Sequence, residues 1–422
     1  MTYIGRRGLL AGAAGALAAT AVAGLGGEAS ATEGPAAAPE RAGPAGATTP
    51  EFRAMWIATV QNVDWPSQVG RSARQQRDEL TAFLDAAVER RLNAVILQVR
   101  PAADALWPSP HEPWSQWLSG TQGRDPGWDP LGVAVEEAHR RGLELHAWFN
   151  PYRVANHTDP GRLVASHPAR RNRDWIVPYG GKLYYNPGLP EVRAFVQRAM
   201  LDAVSRYPID GAHLDDYFYP YPVSGERFDD DAAYARHGGG HASRAHWRRA
   251  NIDALVREMS AEVRRIRPTA RFGVSPFAVW RGDDVDPNGS PTRAGVSTYD
   301  DLYADTRKWV KEGWVDYIAP QAYWHIGHPT ADYAAIVPWW AKTVRGTGVD
   351  LYVGEALYRC DAQSPTAAWR DPAELSRHLT FAKRYPEVRG HSYFSASHLA
   401  TDRNGAMDRV VADHYRATAP PR

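Results

Sequence analysis

Cysteine is almost absent: Cys360 is the only one in 422 residues. That excludes an intrachain disulfide, and no cysteine follows the N-terminal apolar run to carry a lipid. With no supporting constellation, the lone thiol reads as a packed side chain. Net charge is equally scarce. Lysine and arginine total 49 against 48 acidic residues, a balance of +1, so no basic field points to nucleic acid. Beyond the N-terminal segment no stretch resembles a membrane span. The first strand-like segment runs into Ala58-Thr59-Val60-Gln61-Asn62, without the glycine-rich phosphate loop of a dinucleotide-binding sheet. A Gly-x-Ser-x-Gly elbow is missing too.

Metal patterns are poor. Asp284-x-Asp286-x-Asn288-Gly289 opens like a calcium loop, but Pro287 interrupts it and Gly295 stands where the closing glutamate belongs. His237 and His241 are four apart but flank a glycine run, not a helix. No metal site and no cofactor are expected.

The N-terminus carries a targeting pattern. Arg6-Arg7 precede a run from Leu9 to Leu25 built of Ala, Gly, Leu and Val, and Ala29-Ser30-Ala31 offers a small-x-small cleavage site. Residues 1–31 read as a Tat-type signal peptide. Residues 32–50, rich in Ala, Pro, Gly and Thr, read as a disordered linker. The expectation is an exported monomer, extracellular or in the cell wall, with no stable membrane insertion after cleavage.

From residue 52 onward short apolar strands alternate with amphipathic helices. The strands are expected at Phe52–Ala58, Ala94–Arg100, Glu144–Asn150, Gly211–Asp215, Arg271–Ser275, Tyr317–Gln321, Leu351–Gly354 and His391–Ser395. Helical spacing at i, i+3, i+4 and i+7 appears in Leu80, Phe83, Leu84, Ala87 and again in Ile252, Leu255, Met259, Val263. Alternation argues for a parallel sheet, and eight repeats argue for closure. The expected fold is α/β: one (β/α)8 TIM-barrel domain over residues 51–420, with extended βα loops. An open doubly wound sheet is the competitor.

In such a barrel, function sits where strands end. Those ends are polar and aromatic, in a chain with 16 tryptophans and 20 tyrosines. Gln98, Asn150 and Gln321 follow apolar strand residues and suit sugar hydroxyls. Trp65, Trp107, Trp280, Tyr323 and Trp324 are stacking candidates, since apolar sugar faces pack on aromatic rings. Trp56, Arg100, Trp148, Tyr152, Arg153 and Tyr217 complete the expected substrate-binding set. The sharpest signal is Asp210-Gly211-Ala212-His213-Leu214-Asp215-Asp216-Tyr217: a turn, a buried strand, then two adjacent carboxylates. Mutual repulsion raises one pKa of such a pair, which suits a general acid.

Glycoside hydrolysis usually takes two carboxyl groups. Two arrangements are open. Either an aspartate of this pair works with Glu355 across the mouth as nucleophile, or Asp216 is the acid while Asp215 orients a substrate acetamido group that itself attacks.

Phe52-Arg53-Ala54-Met55-Trp56-Ile57-Ala58-Thr59-Val60, Asn93-Ala94-Val95-Ile96-Leu97-Gln98-Val99-Arg100-Pro101, His146-Ala147-Trp148-Phe149-Asn150-Pro151-Tyr152-Arg153 and Gly211-Ala212-His213-Leu214-Asp215-Asp216-Tyr217-Phe218-Tyr219-Pro220 occur in order. Together they resemble the glycosyl hydrolase-like family 10 proteins, bacterial exported or lipoprotein barrels, over about residues 51 to 360. The resemblance implies a TIM-like barrel that hydrolyses glycans. Some members act on peptidoglycan strands that have lost their stem peptides, a substrate with 2-acetamido sugars. The chain departs from the lipoprotein members in having no lipidation cysteine. Two other readings compete: a catalytically silent carbohydrate-binding barrel, and a polysaccharide deacetylase, which would need a metal site.

Overall fold

The computed structural model describes residues 51–420; the expected signal (1–31) and linker (32–50) lie outside the described residues. In chain order, β1 (Phe52–Ile57), β2 (Ala94–Arg100) and β3 (Glu144–Phe149) open a barrel. Then β4 (Arg153–Ala155), β5 (Ile176–Tyr179) and β6 (Lys182–Tyr185) form a separate antiparallel sheet in the order β4-β6-β5. The barrel resumes with β7 (Gly211–Leu214), β8 (Arg271–Val274), β9 (Tyr317–Ile318), β10 (Asp350–Glu355) and β11 (Val388–Tyr393). Its eight strands are all parallel and closed, with β11 pairing back onto β1. This is the expected TIM barrel, and all eight expected strands are present.

Helices follow the strands: α1 (Ala73–Glu89), α2 (Pro130–Arg140), α3 (Pro190–Arg206), α4 (Arg244–Ile266), α5 (Thr306–Lys311), α6 (Tyr333–Val344), α7 (Glu374–Ala382), α8 (Ala396–Thr401) and α9 (Ala406–His414). Local chemistry sets their starts. Ser72 and Gln75 close a capping box at α1, and Asp129 accepts from Gly132 N ahead of Pro130 at α2. None of the described helices is long and apolar enough to cross a membrane.

Helices cover the outer face of the sheet, so β1, β2 and β3 are buried along their whole length. Side chains alternate between that helix layer and the barrel interior. Phe52, Trp56, Ile96, Trp148, Tyr317 and Tyr352 fill the interior. Each such side chain stabilises the fold by about 2 kcal/mol through burial. Large interior groups need small neighbours. A Cβ on Gly273 would lie 2.1 Å from the Tyr317 ring, and one on Gly211 would lie 2.4 Å from His146 Nδ1. The space they leave lets the Tyr317 hydroxyl meet His146 Nδ1 at 2.8 Å and His213 Nδ1 at 2.9 Å. His213 therefore anchors β7 from within, two residues before its carboxylates.

Candidate active site

β7 ends at Leu214, and Asp215 and Asp216 follow at the C-terminal rim. By alternation Asp215 shares the inner face with His213. A chain of amides reaches it from two strands away. The backbone N–H groups of Thr59 and Val60 both donate to Gln98 Oε1, each at 2.9 Å. Gln98 must then turn its NH2 outward, and it donates to Asn150 Oδ1 at 2.6 Å. Asn150 in turn has only its NH2 left for Asp215 Oδ2. Since backbone N–H groups can only donate, the orientation of both amides is fixed by the first link. Asp215 Oδ1 accepts from Tyr217 N at 3.1 Å.

Asp216 is held from the opposite side. Gln321 Nε2 donates to Asp216 Oδ1 at 3.0 Å and to Ser275 O at 2.9 Å, which fixes that amide too. Asp216 Oδ2 contacts the Tyr221 hydroxyl. Three of the four carboxyl oxygens thus face N–H groups. The fourth, Asp216 Oδ2, accepts from the Tyr221 hydroxyl.

Both carboxyls are nearly fully buried. Burial, then the Asp216 charge, pushes Asp215 up to about 7; the Arg153 charge and the Tyr217 and Asn150 hydrogen bonds oppose this. Burial also raises Asp216, against hydrogen bonds from Tyr221 and Gln321. Two adjacent buried carboxyls titrate as a pair, and near neutrality the pair keeps one proton. That proton is shared between Asp215, raised to about 7, and Asp216, raised by burial against its hydrogen bonds.

The other expected residues divide. Arg153, Tyr217, Gln321 and Tyr323 gather around the pair: the Arg153 guanidinium lies 4.9 Å from the Tyr217 ring centre, and Tyr323 feels the charge of both aspartates. Trp324 packs edge-on to Phe277, which packs edge-on to Tyr221. Trp148 lines the upper interior, its indole N–H without a partner among the described residues. Gln98 and Asn150 are wholly buried and act on Asp215 instead of meeting sugar.

Several expectations are corrected. Glu355 does not face the mouth. It is fully buried in the helix layer, bonded to Tyr333 Oη of α6 at 2.8 Å, His378 Nδ1 of α7 at 2.8 Å and His391 Nδ1 at 2.9 Å. Burial pushes its pKa up, but the charge and hydrogen bond of His378 and the hydrogen bond of His391 outweigh this and hold it down at about 2. It is a structural ion-pair centre, not a nucleophile. Arg100 is buried in a paired fork with Glu112 and also donates to the carbonyls of Asn150 and Pro151. Tyr152 is fully buried in the helix-side core. Trp280 stacks on Trp339 and donates to Asp305 at 2.8 Å. Trp56 sits beneath the pair, 2% exposed, against His213. Trp65 and Trp107 are wholly buried, donating to Gln76 O and Asp202. In the calcium-like stretch Asp284 and Asp286 pair with Arg293 and Arg281. Cys360 is buried, and burial pushes its thiol pKa up.

Sequence reasoning missed Tyr221, Ser275, Tyr184 and Lys182. Tyr221 ends the aromatic run that follows the pair, so position marked it; nothing marked Ser275.

The family model described as glycosyl hydrolase-like 10 matches residues 51–371. Over 371 residues the chain is 46% identical to glycosyl hydrolase YngK of Bacillus subtilis (strain 168), covering 87% of this chain and 72% of that one. It is 40% identical over 368 residues to glycosyl hydrolase DigH of Escherichia coli (strain K12), covering 82% and 83%. Among solved structures, the glycoside hydrolase domain of PgaB (BpsB) from Bordetella bronchiseptica superposes with a TM-score of 0.53 at 14% identity, covering 86% of this chain and 99% of that one. The catalytic domain of β-amylase from Paenibacillus polymyxa does so at 0.53 and 10%, covering 88% and 99%. At these identities the likeness is one of fold.

Proposed function

The chain belongs to the glycosyl hydrolase-like 10 family, and from that premise we propose that it is a glycoside hydrolase that cuts O-glycosidic bonds in peptidoglycan glycan strands freed of their peptides. In this reading Asp216 is the general acid. It passes its proton to the glycosidic oxygen as the bond to the anomeric carbon breaks. The carbonyl oxygen of the substrate's own 2-acetamido group attacks that carbon, while Asp215 accepts the acetamido N–H and holds the group in line. The leaving sugar departs as an alcohol. Water, deprotonated by Asp216, then opens the cyclic intermediate with net retention. Such substrate assistance is a known exception to the two-carboxylate rule.

One observation carries this reading: two adjacent buried carboxyls stand at the C-terminal rim of β7, Asp215 held by Asn150 and Asp216 by Gln321 and Tyr221, the doublet that an acid and an acetamido-orienting partner require. The corrected position of Glu355 supports it too, because the expected partner carboxylate faces the helices. The test compares peptide-free strands with the same strands after removal of the N-acetyl groups. Cleavage of the first alone is expected. Equal cleavage of both would rule out the acetamido role. Export follows from the Arg6-Arg7 signal pattern; replacing both arginines with lysine is expected to leave the protein in the cytoplasm.

A further inference from the structure

Two cations lie close together at the mouth: Arg153, whose charge reaches both aspartates but which makes no ion pair with them, and Lys182, whose charged neighbour is Arg153. Arg153 opens β4 and Lys182 opens β6. In the small sheet Arg153 pairs with Tyr184, and Lys182 is two residues from Tyr184 on the same strand. Cross-strand partners, and residues two apart, point to one face. Arg153, Tyr184 and Lys182 therefore share a face.

Arg153 is only 6% exposed. Its Nε donates to Pro101 O at 2.9 Å, and its plane lies over the Tyr217 ring. Among the described residues neither terminal nitrogen of its guanidinium has a hydrogen bond or ion pair. Lys182 is half-buried and likewise has no ion pair among them. Burial, then the Arg153 charge, lowers the Lys182 pKa. Two neighbouring cations partly withdrawn from water repel each other, a cost that an arriving anion removes. A guanidinium fork with both ends free fits a carboxylate in two parallel hydrogen bonds.

We propose that Arg153 and Lys182 form an anion subsite that holds the 3-O-lactyl carboxylate of the glycan strand next to the bond being cut. The proposal rests on the strand-hydrolase reading and deepens it. In a strand that still bears peptides, the lactyl carboxyl is tied up in an amide and carries no charge. Only removal of the peptide uncovers the anion. The two cations thus give the enzyme a means to read whether a strand has been stripped.

The experiment uses peptide-free strands of one length in two forms, with lactyl carboxylates free and with them converted to primary carboxamides. kcat and KM are measured for the wild type, Lys182→Met and Arg153→Gln. Binding of fluorescently end-labelled strands to Asp216→Asn is read separately by anisotropy. The wild type is expected to prefer the free carboxylate by about tenfold in kcat/KM, mostly through KM. Arg153→Gln is expected to erase that preference and Lys182→Met to reduce it. Lys182 is half-buried at the hairpin end of β6, so its variant keeps the test open if Arg153→Gln fails to fold. Equal use of the two strands by the wild type, or a full preference in Lys182→Met, overturns the subsite. Tighter binding of the carboxylate form with no cleavage of either keeps the subsite and removes the hydrolase reading. Cleavage of both forms with equal binding does the reverse.

Discussion

Gln98 donates to Asn150 Oδ1 over 2.6 Å, and that contact decides which end of the Asn150 amide meets Asp215. Removing the amide removes one of the two donors that hold Asp215. Asn150→Ala is expected to lower kcat by about 100-fold, the usual cost of one oriented donor. Because this hydrogen bond lowers the pKa of Asp215, which works ionised, the acid limb of the pH–rate profile should also move up. A profile that merely falls without shifting would mean that Asn150 supports the fold alone.

The aspartate pair is costly to the folded state. Burial and the Asp216 charge raise Asp215 from 3.8 to about 7, so its folded form binds a proton more tightly than the unfolded chain. That contribution is full below pH 4 and is lost as pH rises through 7. Asp215→Asn should therefore be more stable than the wild type at pH 8, by about 2 kcal/mol, with the gap closing toward pH 4. Denaturant midpoints at the two pH values check this. Equal stability at pH 8 would mean that the pair is not strained.

The two aspartates should fail differently. A dinitrophenyl glycoside of the 2-acetamido sugar has a leaving group that needs no proton. Asp216→Asn should lose about 10²–10⁴-fold on natural strands and far less on the aryl glycoside. Asp215→Asn should lose activity on both, since the acetamido group is no longer held. Parallel losses for the two variants would reverse or erase the assignment.

Glu355 belongs to stability. His378 and His391 hold it ionised at about 2 against burial, so its contribution is present above pH 4.5 and is lost as pH falls toward 2. Glu355→Gln leaves the His378 charge without its main partner and should cost about 3 kcal/mol. kcat of the folded fraction should stay at the wild-type level. A dead but fully stable variant would restore Glu355 to the chemistry.

The fate of Glu355 also shows what the sequence hid. Its strand was expected to stop at Gly354, which would put Glu355 in a rim loop. β10 runs through Glu355, and the period of two sends it outward with Leu351 and Val353, away from the sugar. The barrel itself was legible because strands buried on both faces read as apolar runs between helical patterns. The aspartate doublet stood out in the sequence because two adjacent charges after a buried strand are costly to bury. Arg100 and Trp280 look like rim groups in sequence, but only packing shows that Glu112 and Trp339 have already claimed them. The small sheet had a signal that went unread. Gly180-Gly181, both at positive φ, join Tyr179 to Lys182 as a two-residue hairpin turn, and that turn sets Lys182 on the face of Arg153.

The most direct test digests peptide-free peptidoglycan strands with the mature protein and with Asp216→Asn, and reads the products by mass spectrometry. Shorter strands, each with one added water and a new reducing end, absent with Asp216→Asn, are the predicted result. Strands left intact by the wild type, or cut equally by Asp216→Asn, would contradict the account.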